Sequence, residues 1–255
     1  MKKILKRLIS LAKRFKNHFR RKARCIDRSS KAMPQNDSLY QKKLACVGDS
    51  ITEASNPQGG FFKSYGEIVA ERNGMSVYID GKGGSTMTDV RGVTSPAVPP
   101  APSKSFCIDR YLNVPSDFDI LTIWFGWNDS YYAQNHLGDM NSTNETTFYG
   151  AYKKVIEYYM TNYPAKKIGL IAPYGPESVE PFREAVRKLS AYYGIPCLDL
   201  SDFRTPLLWC NLRKEASKNA AKEARWNALT YDSTHLNQQG HEYLSTIYEA
   251  FIRSL

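Results

Sequence analysis

The sequence predicts an α/β fold of three layers, with a central, mainly parallel five-stranded sheet between helices. Two observations lead there. Five short apolar runs lie along residues 43–200, each too short for a helix and bounded by turn residues. Segments with helical periodicity separate them, which makes the connections crossovers and the strands parallel. Five short apolar strands separated in this way mean a sheet covered on both faces.

Each element follows from local signals. Residues 43–47 form the first strand and lead into Gly48-Asp49-Ser50. A helix over 65–72 stops at Asn73-Gly74. A short strand over 77–79 runs into the turn Gly81-Lys82-Gly83-Gly84, and the strongly apolar strand 120–125 follows. The helix 147–163 is closed by Pro164, and the strand 167–172 by Pro173. A helix over 177–193 ends at Gly194, a strand covers 196–200, and the last helix covers 237–253. Two long stretches carry no periodicity: 91–105, rich in proline, and 127–146, rich in Asn and Tyr. Loops of that length in a compact domain are usually functional.

At 255 residues, 42% hydrophobic and 24% charged, the chain reads as globular and able to bury a core. Its net charge of +10 is unevenly placed. Residues 1–31 hold 13 Lys/Arg against one acid, a local +12, and the remainder carries −2. The body therefore lacks the basic face of a nucleic-acid binder, and no nucleic-acid partner is expected. Residues 1–27 form a basic arm, 28–41 a polar linker and 42–255 the folded domain. Within the arm, Ile4, Leu8, Leu11, Phe15 and Phe19 recur at helical spacing among Lys and Arg. Such a helix suits an anionic membrane surface, reached through residues 1–24. A solubilising or partner-binding tail is the other reading. Lys6, Arg7, Lys13 and Arg14 interrupt any signal-peptide core, so a cytoplasmic or peripheral membrane location is expected. Cys25, Cys46, Cys107, Cys197 and Cys210 are scattered without Cys-x-x-Cys spacing, which predicts neither a disulfide framework nor a zinc site.

Ser50 directly follows the first strand, at the carboxyl end where open α/β sheets bind ligands. Near the other end of the chain lies Asp232-Ser233-Thr234-His235. A serine hydroxyl is inert at neutral pH without a neighbouring base, and His235 is the candidate. Asp232, three residues earlier, can reach the second ring nitrogen and fix the tautomer. Plain alternatives exist for each: Ser50 or Asp232 as a helix cap, Asn128 as a turn residue, Asp49 and Asp129 as acceptors for local backbone.

Four blocks now stand in order: Gly48-Asp49-Ser50, Gly81-x-x-Gly84, Gly126-Trp127-Asn128-Asp129 and Asp232-x-x-His235. Together they resemble the SGNH (GDSL-type) hydrolase superfamily, from residue 43 to the C-terminus. The resemblance implies the flavodoxin-like SGNH hydrolase fold and a serine esterase that works through an acyl-enzyme; no cofactor is expected, and none of the four histidines stands at metal-ligand spacing apart from the Asp232/His235 pair. It assigns Ser50, His235 and Asp232 to catalysis, and the Ser50 and Gly84 backbone N–H groups with the Asn128 amide to an oxyanion hole. Trp127 departs from the small residue common at that place in the family. Its indole could narrow the acyl pocket, stack on a sugar or pack inward; with Tyr131 and Tyr132 it is a candidate for substrate binding. Segment 138–150 looks most like bacterial or phage esterases of the carbohydrate type. The expected substrate is an acylated small molecule or glycan, and the expected reaction O-deacetylation. A lipid or lysophospholipid esterase, an O-acyltransferase at a membrane and a non-catalytic glycan-binding module are the other readings.

Overall fold

The computed structural model of the chain describes residues 37–91, 104–108, 110–201, 220–232 and 234–255. The arm over residues 1–27 lies outside the described residues. One sheet contains β1 (Lys43–Gly48), β2 (Ser76–Gly81), β3 (Ile120–Trp124), β4 (Lys167–Ala172) and β5 (Cys197–Asp199). All its pairings are parallel, in the order β2-β1-β3-β4-β5. The described helices are α1 (Ser50–Glu53), α2 (Tyr65–Arg72), α3 (Trp127–Tyr132), α4 (Phe148–Asn162), α5 (Glu180–Tyr193), α6 (Ala220–Leu229) and α7 (Gln238–Ser254).

The central strands β1, β3 and β4 are buried on both faces, and the edge strands β2 and β5 are mostly half-buried. In β1, Ala45 and Val47 join one core with Val155 and Ile156 of α4 and Val186 and Leu189 of α5. Leu44 and Cys46 point the other way, into a core with Tyr65 and Val69 of α2 and Leu244 and Tyr248 of α7. At roughly 1.5–3 kcal/mol per fully buried large apolar side chain, these two cores hold the three layers together. Leu39, counted with the linker on composition, is 2% exposed and packs in the second core.

The register decides where the loops emerge. Gly48, the last residue of β1, pairs with Gly81 of β2 on one side and Trp124 of β3 on the other. Three loops therefore leave the sheet at one level, and the chain order reverses between β1 and β3. That is the switch point where α/β sheets open a crevice.

Three short or weakly patterned helices correct the sequence reading. Residues 127–132, loop-like in sequence, form α3, and α1 and α6 are helices without an apolar period in the sequence. Helices of four and six residues present too few turns for an apolar period to register. In α6 Trp226 alone of the described side chains is buried. The helix read over 177–193 opens with a 3-10 turn, Glu177–Val179, and α5 proper starts where Pro181 sits in its first turn.

Candidate active site

Asp49 Oδ1 accepts the Ile51 N–H at 3.0 Å and so starts α1. Ser50 is the first residue of that helix, immediately past the end of β1, and the cap is its neighbour. Its Oγ lies 2.8 Å from His235 Nε2, and His235 Nδ1 lies 2.7 Å from Asp232 Oδ2. Asp232 Oδ1 also accepts the backbone N–H groups of His235 (2.7 Å) and Thr234 (3.0 Å). Burial pushes the Asp232 carboxyl upward, yet the bonds from His235 and Thr234 outweigh it and hold the group below the usual carboxylate range. The cap of α7 is Asn237, not Asp232. Tyr231 stacks on the His235 ring at 5.5 Å with 10° between planes, and Tyr174 donates to the Thr234 carbonyl at 2.7 Å. An imidazole held this way presents one nitrogen to a serine hydroxyl and the other to a carboxylate, the arrangement that moves a proton during nucleophilic attack.

The second and third blocks converge on the same crevice. Gly84 has φ +71°, a backbone conformation that a side chain strains, and this turns the 81–85 loop back over the end of β1. Asn128, in the first turn of α3, donates from Nδ2 to the Ser85 carbonyl at 3.0 Å and more distantly, at 3.4 Å, to Asp49 Oδ2. Asp129 is fully buried and accepts from Met87 N, Thr88 N and Thr88 Oγ1 at 3.1, 2.9 and 2.6 Å. It ties α3 to a segment about forty residues earlier, where the sequence reading had it bonding local backbone. Burial pushes the Asp49 carboxyl up to about 7 and that of Asp129 up to about 6.

Of the aromatic candidates, Trp127 is half-buried against Tyr174 and Gly175, with ring centroids 6.1 Å apart in the first pair. A Cβ at Gly175 would stand 2.2 Å from the indole, so the glycine makes the seat. Tyr132 packs on Val90 and Ala133. Tyr131 is 61% exposed and touches Tyr132 edge-on.

Three further residues shape the site without a local sequence signal. Arg110 is 8% exposed; it pairs with Asp80 at 2.9 Å and also donates to the Asp80 carbonyl and to Ser85 Oγ. Glu53 and Lys104 both bond Gly83. No local pattern marks them, because each acts on a partner about twenty or thirty residues away in sequence. Among the described residues, no three His, Cys, Asp or Glu side chains converge to hold a metal ion.

A model of the family described as GDSL-like Lipase/Acylhydrolase matches residues 46–243. No curated protein matches the chain in sequence. Among solved structures, a Lactobacillus plantarum protein is similar at 23% identity and a TM-score of 0.62, over 84% of this chain and 98% of its own. An aryl esterase from M. smegmatis is similar at 15% identity and a TM-score of 0.57, over 84% of this chain and 99% of its own. An acetylxylan esterase from Geobacillus stearothermophilus is similar at 18% identity and a TM-score of 0.52, over 85% and 96%.

Proposed function

The chain belongs to the GDSL-like lipase/acylhydrolase family, and from that membership we propose that this serine hydrolase removes small acyl groups, acetyl foremost, from a carbohydrate. The observation that carries the catalytic part is the run Ser50 Oγ, His235, Asp232, with contacts of 2.8 and 2.7 Å. In this reading Ser50 Oγ attacks the ester carbonyl while His235 Nε2 takes its proton, and Asp232 stabilises the imidazolium. The tetrahedral oxyanion is received by the Ser50 and Gly84 N–H groups and by Asn128 Nδ2, whose weak 3.4 Å contact to Asp49 is the one a substrate oxygen displaces. The alcohol leaves with the proton from His235. Water, deprotonated by the same imidazole, then releases the acid and restores Ser50.

Carbohydrate as the alcohol is supported by the exposed Tyr131 ring one turn beyond Asn128, and by similarity in fold to an acetylxylan esterase. Ser50→Ala is expected to lower kcat on p-nitrophenyl acetate by about 10⁴-fold or more. Wild-type turnover in that variant would remove the serine mechanism. An ester panel of rising acyl length, run beside acetylated xylan and a lysophospholipid, tests the substrate. Acetyl preference supports the carbohydrate reading, and preference for long chains overturns it.

The basic arm favours a second reading, action on lipid or acyl transfer at an anionic surface, with the enzyme peripherally bound. Among the described residues no helix is long and apolar enough to cross a membrane.

A further inference from the structure

The peptide joining Gly83 to Gly84 lies between charged side chains. Glu53 Oε2 accepts the Gly83 N–H at 2.8 Å, which fixes the peptide before it. Lys104 Nζ donates to the Gly83 carbonyl at 2.6 Å. That carbonyl shares its peptide unit with the Gly84 N–H. We propose that Lys104 is a positioning residue of the esterase, whose ammonium sets the plane of the Gly83–Gly84 peptide and strengthens the Gly84 N–H as a donor to the oxyanion. This rests on the reading of Gly84 as an oxyanion donor given above.

Resonance couples the two ends of a peptide unit and keeps it planar, so orienting the carbonyl orients the N–H. A charge-assisted bond is short and strong, and it draws electron density from the amide nitrogen. Cooperative strengthening of this kind is on the order of 10–30% per bond. The ammonium also stands directly against Gly84, 3.2 Å from where a Cβ would be. Lys104 is itself anchored. Its carbonyl accepts from Ser85 Oγ at 2.6 Å and from an Arg110 guanidinium nitrogen at 3.2 Å. The backbone is thereby tied to the loop that its side chain clamps. A turn carbonyl needs only water to satisfy it; here it holds a long charged side chain that gives up rotamer freedom to stay there.

The test uses the full chain, p-nitrophenyl acetate and phenylboronic acid, which forms a tetrahedral anion on an active-site serine. Lys104→Met is expected to lower kcat about 10- to 100-fold, less than the ~10²–10³ that loss of a whole donor costs. KM should stay within about twofold, and boronate affinity should fall in step with kcat/KM. Lys104→Arg, which keeps charge and donor, should recover most of the rate. Unchanged kcat in Lys104→Met, a loss with boronate affinity intact, or no recovery in Lys104→Arg would each overturn the assignment. Should Lys104→Met not fold, Lys104→Gln takes its place with the same expected loss. Activity surviving in Ser50→Ala instead marks failure of the serine reading beneath it.

Discussion

Asp49 does two jobs with one carboxylate. Oδ1 caps α1 at the Ile51 N–H, and Oδ2 lies 3.4 Å from the Asn128 amide. Its burial raises the group to about 7, opposed by the Ile51 N–H and by His235. Folding therefore favours the protonated form. The stability this contributes is full below the ordinary carboxylate range and is lost as pH rises through about 7. Asp49→Asn keeps an acceptor for Ile51 and removes the titration. Its melting temperature should fall less between pH 5 and pH 8 than that of the wild type, although Asp129, with the same sign near 6, leaves a residual slope. Identical slopes in scanning calorimetry would contradict this. At this scale Ser50, Asp232 and His235 were legible from residue type and from the strand and helix ends that flank them. Glu53, Lys104 and Arg110 were not, because their roles rest on partners about twenty to sixty residues away.

Elements were legible where a period or a cap repeats. The capping box of Ser64 and Glu67 starts α2, and Thr147 and Asn237 cap α4 and α7. The short α1 and α3, which hold Ser50 and Asn128, were missed because only the loops around them shape them. The junction between α7 and the sheet is partly polar: Tyr248 OH lies 2.8 Å from Thr122 Oγ1 and 3.2 Å from Cys46 Sγ, all fully or nearly buried. Tyr248→Phe removes the hydroxyl and leaves Thr122 short of a partner. Urea unfolding should show a loss of about 1–3 kcal/mol with an unchanged m-value. A loss below a few tenths would show that the junction is held by apolar packing alone.

On the scale of the whole molecule, the entry of the chain into the described domain and the candidate site sit at opposite ends of β1. The chain enters the described domain at Asp37, which pairs with Arg253, and Gln41 donates to the Gly74 carbonyl beside the start of β1. Six residues of β1, roughly 20 Å at 3.3 Å each, then lead to Ser50. Deleting residues 1–36 should leave kcat/KM on p-nitrophenyl acetate within about twofold, and should abolish sedimentation with anionic vesicles if the arm is the surface anchor. Vesicle binding that survives the deletion would remove the arm from that role. The sequence by itself determined the alternation of strands and helices, the three side-chain types of the candidate catalytic run and the separation of the basic N-terminal segment from a near-neutral body. These depend on spacing along the chain, on turn chemistry and on charge, all of which are local. Only the tertiary structure decided that Asp129 holds Met87 and Thr88, that Trp127 leans on Gly175, and that Glu53 and Lys104 grip Gly83. Those contacts exist because the register sets the ends of β1, β2 and β3 side by side, and no local pattern in the chain encodes which distant loops will meet there.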